Sequence, residues 1–225
     1  MEERLLRNIP ALSEEEQNIL KKSRVAVIGC GGLGGYVIEH LVRLGIGHVT
    51  AADGDEFSAT NLNRQLYALS ETLGRNKALA AADRAKAIDP NISFRAVPAF
   101  LTEENAGTVL EDADIVIDAL DSASARLILE KACAAKGLYL VHGAAEGWEA
   151  QTVLVPPGSG LLEKLYGNAA ETPSSPSVLS FAPGCCAAME AALAVRQLVR
   201  PGSVTAGELC CFSLETGRFT ALELL

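Results

Sequence analysis

The feature that most constrains this chain is a glycine cluster, Gly29-Cys30-Gly31-Gly32-Leu33-Gly34. It follows directly on a short β-branched run over 24–29 (RVAVIG) and opens a segment in which Val37, Ile38, Leu41 and Leu44 recur at helical spacing up to Gly45. A strand that feeds a G-x-G-x-x-G turn and then a helix is the start of a βαβ unit. The turn must be tight, and its bare backbone N–H groups together with the helix N-terminus form an anion site.

The alternation continues from residue 24 to 142. Strands are predicted over 48–53, 92–98, 114–119 and 138–142, with helices over 74–88, 102–110 and 124–137 between them. Asp89-Pro90 halts the alanine-rich 74–88 segment, and the TEEN opening at Thr102 suits an N-cap. Strands joined by crossover helices argue for a doubly wound, Rossmann-like α/β sheet that is mostly parallel. Past 147 the pattern changes. Segments 151–155, 208–214 and 218–225 read as strands pairing antiparallel at the end of the same sheet, 185–199 reads as a helix, and the Pro/Ser/Gly-rich stretch 156–183 reads as a long crossover. The expected organisation is one domain over 1–225, with a nucleotide-binding half (1–147) and a mixed-sheet half (148–225).

Composition narrows the function classes. Hydrophobic residues at 49% and charged residues at 21% of 225 allow a sizeable core. A net charge of -9 repels phosphate backbones, so a general nucleic-acid binder is disfavoured. No apolar run reaches the roughly 18 residues of a membrane span, and the start MEERLLRNIPALSEEEQ lacks signal-peptide order, so the expected compartment is the cytoplasm. The six cysteines form no CxxC. Cys185-Cys186 and Cys210-Cys211 are adjacent pairs, read chiefly as small buried hydrophobes, with a four-cysteine metal site as the lesser alternative.

Asp53, at the end of the second strand, is placed to accept ribose hydroxyls. The glycine loop and Asp53 alone fit an NAD-dependent oxidoreductase or another adenine-nucleotide protein, and a glycine turn needed only for packing stays open. Asn61, Arg64 and Gln65 then follow in DGDEFSATNLNRQ, Lys77 in GRNK, and Asp118 and Asp121 in DALDS. In a doubly wound sheet all of these lie at the carboxyl ends of strands, around one crevice. Hydride transfer has no use for an Arg, a Lys and a carboxylate converging on phosphates. Breaking a triphosphate does, because cations offset charge on the phosphorus and a carboxylate holds Mg²⁺. Taken singly, Arg64 reads as a surface charge, Lys77 as a helix-face charge, and Asp118 or Asp121 as a helix cap.

GCGGLGG, DGDEFSATNLNRQ, GRNK and DIVIDALDS, in that order, resemble the HesA/MoeB/ThiF family of ubiquitin-activating-enzyme-like adenylyltransferases. The resemblance runs from about Arg7 to the C-terminus and is strongest over 24–147. It implies adenylation, with ATP and Mg²⁺, of the C-terminal glycine carboxylate of a small ubiquitin-like sulfur carrier of the thiamin or molybdopterin type ending Gly-Gly, with release of pyrophosphate. By the same resemblance Gly29, Gly31, Gly32 and Gly34 lie under the phosphates, and Asp53 takes the ribose. Asn61 and Arg64 handle phosphates with Gln65 in support, Lys77 meets the α- and γ-phosphates, and Asp121 binds Mg²⁺ with Asp118 behind it. Arg4-Leu-Leu-Arg7 is similar to the family's RYxRQ segment, so Arg7 is expected to reach the partner's γ-phosphate across a homodimer interface.

Three departures qualify the resemblance. The CxxC pairs that hold structural zinc in sulfur-carrier activators are missing, so zinc is expected to be absent, and no cysteine occurs in AETPSSPSVLS, which argues against a thioester or persulfide there. Asp121-Ser122 stands where the family has Asp-Asn. Leu161, Leu162, Leu165 and Tyr166 are candidates for an apolar carrier-docking face, the alternative being a helix that packs inward. Beside carrier adenylation, three readings stay open: activation of a tRNA-linked or peptide carboxylate, an NAD-dependent oxidoreductase, and a non-catalytic nucleotide- or partner-binding protein.

Overall fold

The computed structural model describes residues 2–167 and 177–225. Eight strands form one sheet: β1 (Arg24–Ile28), β2 (His48–Ala52), β3 (Ser93–Val97), β4 (Ile115–Asp118), β5 (Leu140–Glu146), β6 (Glu149–Val155), β7 (Glu208–Ser213) and β8 (Arg218–Glu223). Their spatial order is β3-β2-β1-β4-β5-β6-β7-β8. The first five pair parallel and the last three add antiparallel, which is the mixed sheet expected from the sequence. Strand order reverses between β1 and β4, so the crevice of a doubly wound sheet opens beyond Ile28 and Asp118.

Seven α-helices cover the sheet: α1 (Glu14–Lys22), α2 (Gly34–Leu44), α3 (Lys77–Ile88), α4 (Glu103–Val109), α5 (Ala123–Lys136), α6 (Leu161–Tyr166) and α7 (Phe181–Val199). Side chains of β1 and β4 alternate between two cores. Val25, Val27, Ile115 and Ile117 pack under one helical layer with Ile38, Leu41 and Ala191, while Ala26, Ile28 and Val116 pack under the other with Leu129 and Leu162. Strands buried on both faces are apolar along most of their length, with Asp118 at the end of β4 as an exception, and each fully buried Leu or Ile contributes roughly 2 kcal/mol.

Helix ends follow local chemistry. Gly45 stops α2 in the left-handed region at φ 90°, as its position in the sequence predicts. The predicted 74–88 helix starts later, at Lys77, because the Asn76 side chain caps it by accepting from the Leu79 N–H. The predicted 185–199 helix starts earlier, at Phe181. Pro183 falls in its first turn, where no N–H is needed.

The predicted crossover over 156–183 needs correction. Residues 161–166 are helical, and Leu161 and Leu162 are fully buried, with Leu165 and Tyr166 packed against the same core. The apolar carrier-docking face suggested for these four residues is therefore not a surface; the inward-packed helix is what forms. Residues 168–176 of that stretch lie outside the described residues.

Candidate active site

The glycine turn is held by backbone contact. The Gly29 N–H donates to the Ala52 carbonyl, and Gly29 adopts φ 101°. A Cβ on Gly34 would fall 1.9 Å from the Gly29 carbonyl oxygen, so the N-terminus of α2 packs onto the turn only with glycine at that position. Gly31 and Gly32 differ. A Cβ there would meet only the Gln65 carboxamide at 3.5 Å and the Arg64 stem at 3.7 Å, in ordinary contact. The protein itself does not demand glycine at these two places; bare backbone there leaves room for a ligand such as a phosphate to approach.

Asp53 lies just past β2, its Oδ2 accepting from the Cys30 N–H (2.7 Å) and its Oδ1 from the Asp55 N–H (2.8 Å). Burial pushes this carboxyl above the usual carboxylate range, against the pull of those two N–H groups and of Lys77. A carboxylate has about four acceptor positions, so it can take ribose hydroxyls as well. Lys77 is buried, and its Nζ meets Asp55 Oδ2 at 3.0 Å. Asn76 donates to the Asp53 and Asp55 carbonyls, closing the turn that aims the lysine.

The 58–65 segment arches over the loop. Asn61 is buried and its Oδ1 accepts from the Ser58 N–H (3.0 Å). Arg64 packs its stem over Gly32 and donates Nη1 to the Thr60 carbonyl (2.9 Å) and Asn63 Oδ1 (2.8 Å). Gln65 is buried over Gly31.

At the end of β4 the two aspartates part ways. Asp121 is exposed, without a hydrogen-bond or ion-pair partner among the described residues, while Asp118 is fully buried on His142. Neither caps α5; Ser122 does, accepting from the Ala125 N–H. Arg7 is not brought to this crevice. It sits in the 3-10 turn Glu3–Asn8, whose Asn8 donates to the Leu44 carbonyl at the far end of α2.

Mg²⁺ usually takes one or two carboxylates plus phosphates and water, and a free carboxylate beside a phosphate loop fits that donor set through Asp121. Among the described residues no group of three or more His, Cys, Asp or Glu could hold a metal, so the four-cysteine alternative fails. The doublets lie apart, on α7 and β7, and all six thiols are free.

The sequence reading missed Asp55, the counter-ion of Lys77, and also Arg126 and His142. Asp55 was legible as a second acid beside Asp53. His142 had only its place at a strand's carboxyl end to mark it, and Arg126 only its closeness to DALDS. Glu190 on α7 left no signal. It is fully buried over Gly143 beside Cys186, both oxygens unpaired among the described residues. Burial, then the nearby Asp118 charge, pushes its carboxyl well above the ordinary 4.5, against the pull of Arg126. Above pH 4.5 the folded chain thus keeps a proton that the unfolded chain releases, and stability falls with rising pH by up to about 1.4 kcal/mol per unit. Below that pH both states are protonated and the loss vanishes. Glu190→Gln cannot ionise, so it should melt above wild type at pH 8, with the gap closing toward pH 4. A gap independent of pH in thermal melts would show that Glu190 is not held protonated.

Comparison with known proteins places this geometry. A family model described as the ThiF family matches residues 3–224. The SAMP-activating enzyme E1 of Haloferax volcanii is 32% identical over 200 residues, covering 87% of this chain and 74% of its own. The sulfur carrier protein adenylyltransferase of Thermus thermophilus is 31% identical over 227 residues, covering 96% and 84%. Among solved structures, the Escherichia coli tRNA N6-threonylcarbamoyladenosine dehydratase in complex with ATP superposes with a TM-score of 0.75 at 23% identity. That match covers 87% of this chain and 93% of that one, and at this identity the likeness concerns the fold.

Proposed function

The chain belongs to the ThiF family, and from that premise we propose that it is an adenylyltransferase activating the C-terminal glycine carboxylate of a small ubiquitin-like sulfur carrier of the thiamin or molybdopterin type. The observation that carries this reading is the pairing of two cations with one glycine loop. The stem of Arg64 lies over Gly32, and the buried Lys77 stands beside Asp53 on Asp55. An NAD-dependent oxidoreductase would leave both cations without a task. A tRNA-linked carboxylate is disfavoured by the charge of -9, which repels an RNA backbone.

In the proposed reaction a carboxylate oxygen of the carrier attacks the α-phosphorus of ATP in line; the new C–O–P linkage forms as the bond to pyrophosphate breaks. The N–H groups of the loop and the N-terminus of α2 hold the phosphates, and Asp53 orients the ribose. Arg64 and Lys77 offset the repulsion between two anions and the charge that grows on the leaving group. Asp55 keeps the Lys77 ammonium aimed before nucleotide arrives. Asp121 would hold Mg²⁺, which would supply positive charge against that of the leaving pyrophosphate. Burial raises the pKa of all six thiols, Cys133 to about 12, which disfavours the thiolate that carrying sulfur or an acyl group would need. The reading is tested by ATP–pyrophosphate exchange that requires an added Gly-Gly-ending carrier. Preference for NAD over Mg-ATP would favour the oxidoreductase, and ATP binding without exchange on any carrier would favour a binding protein.

The functional unit is proposed to be a homodimer. The turn that carries Arg7 packs at the far end of α2, away from its own crevice, so Arg7 can serve phosphates only in trans. Leu6 beside it is 55% exposed, and Leu62, Leu69, Leu73 and Leu79 leave apolar surface near the Arg64 segment. Mixing Arg7→Ala with Asp121→Ala protein should then restore exchange, since one of the two sites in a mixed dimer is intact. No recovery in subunit-mixing assays would count against the shared site.

A further inference from the structure

Leu120, the residue before Asp121, is gripped at both of its backbone polar groups. Its N–H donates to Asp118 Oδ1 (2.9 Å), and its carbonyl accepts from Arg126 Nη2 (2.7 Å). Neither side chain acts alone. A carboxylate can only accept, so His142 Nδ1–H donates to Asp118 Oδ2 (2.7 Å), which leaves His142 Nε2 to accept the Tyr166 hydroxyl (2.9 Å). Gln151 Nε2 donates to the same hydroxyl at 3.4 Å. The Arg126 guanidinium lies over the Tyr166 ring, 4.8 Å from its centroid, with Nε 3.7 Å from Asp118. The contacts close into a ring: Leu120, Asp118, His142, Tyr166, Arg126 and Leu120 again.

Asp118 and His142 are both 0% exposed, in the mostly apolar layer under α5 and α6. Burying such groups costs free energy that an apolar pair would not. Besides strand backbone, what they hold is the turn between β4 and α5, on which Asp121 stands with no partner of its own among the described residues. We propose that this ring is a positioning device for Asp121. It sets the turn in advance, so that metal binding need not also order the backbone, and Tyr166 and His142 are positioning residues for the adenylation site. The inference rests on the reading of Asp121 as the Mg²⁺ carboxylate.

Tyr166→Phe keeps the ring under Arg126 and removes only the hydroxyl, leaving His142 Nε2 unpaired. His142→Phe breaks the link to Asp118, and His142→Asn returns a donor toward it. Calorimetric titration with ATP, in EDTA and across Mg²⁺ concentrations, separates nucleotide binding from metal binding; hydrogen exchange over residues 119–122 reads the turn directly. Tyr166→Phe should bind ATP in EDTA as wild type does, raise the Mg²⁺ concentration for half-maximal effect about tenfold, and speed exchange over 119–122. His142→Phe should do the same more strongly and His142→Asn less. If His142→Phe does not fold, Tyr166→Phe decides. A lowered melting temperature with unchanged Mg²⁺ dependence and unchanged exchange over 119–122 would overturn the proposal and leave the ring a packing feature. The Asp121→Ala control separates the two layers. If that variant keeps the wild-type Mg²⁺ dependence, the metal reading itself fails. If it loses that dependence while Tyr166→Phe does not shift it, only the ring inference fails.

Discussion

Asp121→Ala should cut carrier-dependent ATP–pyrophosphate exchange at least about a hundredfold while leaving the melting temperature nearly unchanged. The first half follows from chemistry. Groups that meet charge developing in the transition state contribute about 10²–10³ in rate, and on the proposed reading Asp121 is the carboxylate that would hold Mg²⁺ against that charge. The second half follows from position. Asp121 is exposed and has no partner among the described residues, so its removal breaks no buried contact and lies within about 0.5 kcal/mol of neutral. Exchange assays and melts on one preparation check both. Undiminished exchange would remove the metal assignment; a large fall in melting temperature would mean that the carboxylate has a structural role its surroundings do not show.

The second large effect separates two kinds of glycine in one loop. Gly34→Ala places a methyl 1.9 Å from the Gly29 carbonyl oxygen, a backbone atom that cannot swing away. Either the N-terminus of α2 or the turn must move, at about 3 kcal/mol or more, which for a chain of this size lowers the melting temperature by roughly 6–12 °C. ATP binding should be lost with it, since the N–H groups of the loop no longer converge. Gly31→Ala meets only the Gln65 side chain at 3.5 Å, so it should fold and melt as wild type. Its methyl instead occupies the space a phosphate needs, and ATP affinity should fall about tenfold or more on calorimetry. Equal melting temperatures for the two variants would show that the close approach at Gly34 is not rigid. Wild-type ATP affinity in Gly31→Ala would put the phosphates elsewhere.

Much of the fold was legible from local signals. β1 reads as a β-branched run because strands buried on both faces tolerate little else, and Gly45 marks a helix end where only glycine sits easily in the left-handed region. The errors lie where two local signals compete. Over 74–76 an alanine-rich helical pattern extends into a turn, and the cap at Asn76 decides. Pro183 reads as a break, yet in a first turn it is harmless. The Pro/Gly content around 156–160 hid α6, because six residues carry too little periodicity to outweigh their surroundings.

The sequence by itself determined the doubly wound sheet, the glycine turn after β1 and the residue types around it, because each depends on spacing along the chain. Strand carboxyl ends must gather at one edge, so Asp53, Lys77 and Asp121 were assignable to a common crevice before any coordinates. Only the tertiary structure decided which charges are satisfied and which stand free. Lys77 rests on Asp55, Asp118 is locked to His142 and through it to Tyr166, Glu190 is buried without a partner among the described residues, and Arg7 lies in a turn at the far end of α2 from the glycine loop. Such pairings join side chains 22 or 24 positions apart in sequence, and a few ångströms of packing separate an ion pair from an unpaired charge, which one-dimensional spacing cannot resolve.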